Sequence, residues 1–155
     1  MKRSPELAPL SHDHQHALDA ALRLRRAERD TLVDALAHFR RFFAEEGRTH
    51  FDIEERLILP ALHAEDPEWA PLAARVRADH AAIRAATDAL DTRNTVDDVL
   101  AAACALGERL AAHVRFEERE LFPLLERRLA GSELERLGAA IYEAERDEGP
   151  GRREG

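Results

Sequence analysis

Apolar residues recur along the chain at steps of three and four, the spacing that places them on one face of an α-helix. No segment shows the alternation expected of a half-buried strand. Alanine, leucine, arginine and glutamate, all strong helix formers, dominate the composition. The pattern predicts four long helices within residues 10–129 and a short fifth helix at 130–146. Residues 1–9 are expected to form an N-terminal extension and residues 147–155 a disordered tail.

Helix boundaries carry chemical signals. The first helix is expected at about 10–27 and the second from about 30 to 59, where Pro60 stops it. Asp66 followed by Pro67 predicts the start of the third helix, which fades at about 91–94, and Thr95 with Asp98 predicts a capping box for the fourth. Because the links between these helices are short, the predicted fold is all-α: an antiparallel up-and-down four-helix bundle.

Polar residues interrupt the predicted apolar seams. The chain contains eight histidines, and the inward-facing series of the second, third and fourth helices each include one: His50, His80 and His113. On the fourth helix Glu117 also takes a position that packing would give to an apolar residue. Burying such groups is costly unless a partner satisfies them.

An internal repeat links two of these seams. Residues 50–62 are HFDIEERLILPAL and residues 113–125 are HVRFEERELFPLL, an offset of 63 residues (113 minus 50). Each segment contains His-x-x-x-Glu: His50 with Glu54, and His113 with Glu117. Residues at i and i+4 lie on one helix face, so the imidazole and the carboxylate of each pair can reach the same small volume.

The other helix of each predicted hairpin adds one histidine, and in both cases an aspartate precedes it: Asp13-His14 and Asp79-His80. Among the three histidines of the first helix, only His14 lies close to the centre of the apolar face, whereas His12 and His16 point away. At about 1.5 Å per residue, His50 and His80 lie about 15 and 20 Å from the same end of the bundle, in one layer.

Four imidazoles and two carboxylates in a helical core are typical ligands of a first-row transition metal, and iron or manganese is expected. Two ions bridged by Glu54 and Glu117 would still need water, oxide or a small substrate to complete their coordination. Each residue alone has a simpler interpretation, as a hydrogen-bonded core histidine or a solvated ion pair. The other histidines, His12, His16, His38 and His63, are expected at or near the surface.

The ordered set H, HxxxE, H, HxxxE over residues 10–125 resembles the hemerythrin-like HHE cation-binding domains. The resemblance implies a four-helix bundle with two non-haem iron ions, a bridging oxo or hydroxo group, and the metal ligands His14, His50, Glu54, His80, His113 and Glu117. Manganese or zinc could substitute. Oxygen carriers of this family have another histidine where this sequence has Arg84, and place their last carboxylate where it has Glu118. These two differences argue against a dedicated carrier role, and they make Glu118 a reserve ligand.

The resemblance implies a protein that binds or reacts with dioxygen, peroxide or nitric oxide, and leaves enzymatic turnover open. The alternatives are an iron- or oxygen-sensing or iron-handling module, and a purely structural bundle. A net charge of −8 argues against nucleic-acid and anionic-membrane partners. A single cysteine, Cys104, and an opening MKRSPELAPL without an apolar core predict the cytoplasm. Monomer and homodimer both stay open.

Overall fold

The computed structural model describes residues 2–148, and within that range every regular element is helical. Four bundle helices follow one another along the chain. The first is α1 (Ala8–Arg25). The second is a continuous rod of α2 (Leu32–Phe42), a π-helical turn (Phe43–Gly47), α3 (Arg48–Ile53), a second π-helical turn (Glu54–Ile58) and a 3-10 turn (Leu59–Ala61).

The third bundle helix is α4 (Trp69–Ala89) with a 3-10 turn (Leu90–Thr92). The fourth comprises α5 (Val96–Phe116), a π-helical turn (Glu117–Leu121) and α6 (Phe122–Arg128). A fifth helix, α7 (Gly131–Glu148), follows and packs against α3 and the Glu54–Ile58 turn. The predicted all-α bundle with an added C-terminal helix is confirmed.

Side chains cap two of these helices where the sequence predicts it. The Thr95 hydroxyl accepts a hydrogen bond from the Asp98 backbone N–H at 3.1 Å, at the start of α5. The Asp66 carboxylate accepts from the backbone N–H groups of Glu68 and Trp69, so the turn it forms leads directly into α4. α7 has 18 residues, as many as α1, and extends two residues beyond the predicted 146. The rest of the predicted tail, residues 149–155, lies outside the described residues.

The apolar core is divided into two clusters. The cluster beside the 26–31 and 93–95 connections includes Phe39, Ile83 and Leu106. The cluster at the opposite end includes Trp69 and Phe122. Between them lies a layer of buried polar side chains. The core therefore consists of two apolar clusters separated by one polar layer.

Two segments outside the bundle complete the second cluster. Leu7, in the predicted N-terminal extension, is fully buried, and so is Ile141 of α7. α7 and the N-terminal segment also approach each other closely, because a Cβ on Gly138 would lie 2.8 Å from Glu6. The extension is thus packed against the fold. Among residues 2–148, no helix combines the length and apolar character needed to span a membrane.

Candidate metal centre

All six side chains predicted as metal ligands meet in the polar layer. Glu54, His80 and Glu117 are fully buried, and His14, His50 and His113 are between 2 and 6% exposed. They come from all four bundle helices, one histidine from each, with the two glutamates from the second and fourth. The layer lies where the apolar seams would otherwise continue.

The six residues divide into two overlapping groups. One contains His14 and His50, the other contains His80 and His113, and Glu54 and Glu117 belong to both. Within each group the potential ligand atoms all lie within 4.8 Å of one another. Two cations could therefore sit side by side and share two carboxylates.

The shared carboxylates lie close to the inner imidazole nitrogens. Glu117 places one oxygen 3.0 Å from Nε2 of His14 and the other 3.0 Å from Nε2 of His113. Glu54 places Oε1 2.8 Å from Nε2 of His50 and 3.5 Å from Nε2 of His80. Each glutamate thus reaches from one half of the layer to the other.

Every one of the four histidines has a carboxylate on its outer nitrogen. Nδ1 of His14 lies 2.7 Å from Glu118, that of His50 3.0 Å from Asp13, that of His80 2.9 Å from Glu55, and that of His113 3.2 Å from Asp79. Because a carboxylate can only accept, each Nδ1 is the protonated donor. In the neutral imidazole the lone pair then lies on Nε2 and faces the centre, as in metal-ligating histidines.

Six inward-facing atoms of the centre lack a hydrogen-bond partner among residues 2–148. Both oxygens of Glu54, both oxygens of Glu117 and Nε2 of His80 and His113 are buried without a hydrogen-bond partner. Nε2 of His14 and of His50 face each other at 3.0 Å. Unsatisfied buried groups are rare and costly, and here they cluster at one point. A cation placed between these nitrogen and oxygen atoms would satisfy them.

The electrostatics of the layer support the same conclusion. Burial alone would lower the pKa of His113, but Glu117 and Asp79 outweigh burial and raise this pKa to about 10. Burial is likewise outweighed at His50, whose pKa rises well above its usual value because of Glu54 and Asp13. Glu54, despite burial, has a pKa well below the usual range because of His50. The layer therefore favours positive charge, which protons supply when no cation does.

Two π-helical turns position the glutamates. The repeated Glu-Glu-Arg segments start the turns Glu54–Ile58 and Glu117–Leu121. In each, the first glutamate enters the centre while the second, Glu55 or Glu118, reaches the outer nitrogen of a histidine on another helix. The wider turn also moves the apolar seam by one residue, so that Ile58 is fully buried and Leu57 only partly buried.

The reserve candidate Glu118 lies outside the centre. Its side chain is 29% exposed and accepts hydrogen bonds from Ser11 and Arg3 as well as from His14. Burial raises the pKa of Glu118, but His14, Ser11 and Arg3 outweigh burial and bring it to about 2. Arg84 also points away from the centre, and its guanidinium binds Glu55.

The remaining histidines lie at or near the surface, as predicted. His16 pairs with Glu46 at 2.7 Å and His38 with Asp19 at 3.2 Å. Tyr142 is 59% exposed.

The sequence did not reveal the role of the four outer carboxylates, which are the hydrogen-bond partners of the histidines: Asp13, Glu55, Asp79 and Glu118. Their signal was the repeated Asp-His and Glu-Glu pairs.

A small enclosed cavity of about 10 Å³ adjoins the centre. His14, His50 and His113 form part of its wall, and most of the remaining wall is apolar, including Phe43 and Phe51. Gly47 also lines it, and a Cβ there would lie 2.8 Å from the Phe43 ring. About one water-sized molecule fits such a volume.

Fold and site together define a helical bundle built to hold cations in a histidine- and carboxylate-lined core. A family model described as the hemerythrin HHE cation binding domain matches residues 7–145. The chain therefore belongs to the hemerythrin HHE cation-binding family. No curated protein and no solved structure matches it significantly.

Proposed function

We propose that the chain is a non-haem di-iron protein that binds or reacts with a small oxidant: dioxygen, peroxide or nitric oxide. The proposed metal ligands are His14, His50, Glu54, His80, His113 and Glu117. The observation that carries the proposal is the buried centre, where four imidazole nitrogens meet the oxygens of two carboxylates and six of these atoms have no hydrogen-bond partner among the described residues.

Two irons are the best match to the donor set. Each proposed ion has two imidazoles and shares two carboxylates, which is a mixed nitrogen and oxygen environment without thiolate. Four protein donors per ion leave room for a bridging oxo or hydroxo group and for a small exogenous ligand. Manganese or zinc could occupy the same donors, and metal analysis distinguishes them.

When bound, the irons supply the electrons for oxidant chemistry, and the residues supply geometry and surroundings. The outer carboxylates Asp13, Glu55, Asp79 and Glu118 hold the four imidazoles in the tautomer whose Nε2 faces the centre. The cavity next to His14, His50 and His113 favours a small, weakly polar ligand over a large or charged one, because of its volume and largely apolar wall.

A sensing or iron-handling role is the second candidate, and one structural observation favours it. The polar layer separates the two apolar clusters, so the bundle's stability depends on what occupies the layer. A cation that binds only the folded chain stabilises it by mass action. Metal occupancy could thus control the lifetime or recognition of the fold without turnover.

Other parts of the proposal rest on composition. The single cysteine Cys104 supports a reducing cytoplasmic location. The net charge of −8 supports partners other than nucleic acid and anionic lipid. Analytical ultracentrifugation would distinguish a monomer from a homodimer.

The test is metal analysis followed by spectroscopy. Protein reconstituted anaerobically with ferrous iron should bind two irons per chain, and its near-ultraviolet and visible absorption should change on adding oxygen, peroxide or nitric oxide. His16→Ala, which changes an exposed histidine of α1, is the control and should retain both irons, whereas His113→Ala should lose iron. Reconstituted wild-type protein without iron, or a His16→Ala variant that loses it, would disprove the proposed centre. Stopped-flow turnover with peroxide then separates an oxidant-reactive protein from a sensor.

A further inference from the structure

We propose that Arg3 and Arg84 are positioning residues, one for each half of the centre, acting on His14 through Glu118 and on His80 through Glu55. The inference rests on the proposed metal-binding function. It adds two residues that contact no proposed ligand directly. One of them lies in the segment that the sequence assigned to an extension outside the bundle.

The chain of contacts at Arg84 is short. Its Nη1 donates to Glu55 Oε1 at 2.8 Å, and Nη2 lies 3.4 Å from Glu55 Oε2. The same Oε1 accepts from Nδ1 of His80 at 2.9 Å. The guanidinium also lies 5.5 Å from the centroid of the Phe51 ring, on which the His80 ring stacks at 3.8 Å. Arg84 therefore braces both the hydrogen-bond partner and the stacking partner of His80.

Arg3 makes the same two types of contact at the other half. Its Nη2 donates to Glu118 Oε2 at 2.7 Å, and Glu118 Oε1 accepts from Nδ1 of His14 at 2.7 Å. The guanidinium lies 5.3 Å from the centroid of Phe122, and the His14 ring stacks on Phe122 at 5.4 Å, with an interplanar angle of 8°. A second carboxylate, Glu126, binds Nη1 and holds the guanidinium in place.

The two arginines do not come from the internal repeat. Arg84 stands four residues after His80, and the position four residues after His14 is Leu18. Because α1 has no arginine at this position, Arg3 of the N-terminal segment supplies the guanidinium instead. Two unrelated parts of the chain thus give each half the same arrangement, an arginine on a carboxylate and on an aromatic ring that both contact a histidine. This convergence indicates a role in holding the histidines.

The sign of the effect on cation affinity separates positioning from simple charge. Removing a positive charge near a cation site would by itself tighten cation binding. Removing a brace would instead let the carboxylate and the imidazole move, which weakens binding. Loss of groups that orient metal ligands typically costs about 10- to 100-fold in affinity. Because Ser11 still holds Glu118 at 2.6 Å, we expect the lower end, about 10-fold.

The experiment uses cobalt(II) as a spectroscopic probe in the full chain. Wild type, Arg3→Ala, Arg3→Lys, Arg84→Ala and Arg84→Lys are loaded with cobalt, and release to a chelator is followed by visible absorption. Arg29→Ala is the matched control, because Arg29 pairs with Asp97 on the exposed surface. The paramagnetically shifted NMR signals of the imidazole Nδ1–H protons report each histidine separately.

We expect the Arg3→Ala variant to release one of its two cobalt ions about 10-fold faster, with faster solvent exchange of one Nδ1–H signal, from His14. Arg84→Ala should do the same for the other ion and for His80. The lysine variants, which keep the charge, should recover part of the loss. Arg29→Ala should match wild type.

Unchanged or slower release from both alanine variants would overturn the inference while leaving the metal centre intact. Equal loosening of both ions with all four signals affected would also overturn it, since that is the result of general destabilisation. A wild-type chain that takes up no cobalt or iron would overturn the proposed function, and this inference with it.

Discussion

The adjacent glutamates of the Glu117–Leu121 turn offer a sharp test, because the structure gives them opposite roles. Glu117 is fully buried and reaches both halves of the centre, with oxygens 3.0 Å from Nε2 of His14 and of His113. Glu118 lies outside the centre, where it accepts from the outer nitrogen of His14 and from Arg3 and Ser11. Replacing either with glutamine keeps size and removes one negative charge. The two variants therefore differ in position alone.

The magnitudes follow from these positions. At about 4 Å and an effective dielectric constant of about 20, one carboxylate stabilises a unit positive charge by about 4 kcal/mol, about a thousand-fold in affinity. Glu117→Gln should therefore lose both metal ions. Glu118→Gln replaces the charged acceptor of one histidine with a neutral one, and we expect about 10- to 100-fold weaker binding of one ion.

The assay is metal content after reconstitution and gel filtration, with a competing chelator to measure affinity. Glu117→Gln should retain little metal, and Glu118→Gln should retain one ion tightly and a second weakly. If Glu118→Gln lost both ions while Glu117→Gln kept them, Glu118 would be the ligand and the described geometry of the turn would be wrong.

Three further outcomes are expected. Because the pKa of His113 is raised to about 10 in the folded state, protonated His113 stabilises the metal-free protein fully below about pH 6.5, and this contribution is lost as the pH rises through 10. Urea unfolding of metal-free protein should show this decline in the free energy of unfolding. A free energy that does not decline would contradict the assigned contacts. Thr95→Ala should cost about 1 kcal/mol of unfolding free energy with unchanged metal content, because only the α5 cap is lost. Gly47→Ala should displace the Phe43 ring, which a Cβ at this position would approach to 2.8 Å, and so change the cavity beside the centre. Both irons should still bind while the rate of nitric oxide or oxygen binding changes; unchanged ligand kinetics would show that ligands use another route.

Much of the fold could be predicted from the sequence because periodicity and helix caps act locally. The spacing of apolar residues determined the four long helices, and Thr95 caps α5 where it was expected. The inward position of His14 also followed from helical geometry, since His14 lies close to the centre of the apolar face of its helix and His12 and His16 point away from it.

The π-helical turns could not be predicted, because they depend on long-range contacts. A regular helix would place consecutive glutamates about 100° apart, so only one of Glu54 and Glu55 was considered for the site. In the structure both contribute, one inward and one to His80. Val96 is 46% exposed although it is apolar, since it lies in the first turn of α5, beyond the packed part of the bundle.

The contacts of the N-terminal segment could not be predicted from the sequence either. Arg3 carries no periodic signal of its own, and its contact with Glu118 joins residues more than a hundred positions apart along the chain. Such contacts arise from tertiary packing. The sequence therefore indicated an N-terminal extension without indicating what that extension packs against.

The central claim is that two cations lie between the His14–His50 pair and the His80–His113 pair and share Glu54 and Glu117. The most direct measurement is a crystal structure of iron-reconstituted protein with anomalous data collected on both sides of the iron absorption edge. Two anomalous peaks are expected inside the polar layer, one next to each histidine pair. A layer without a peak, or iron bound only among the surface histidines, would contradict it.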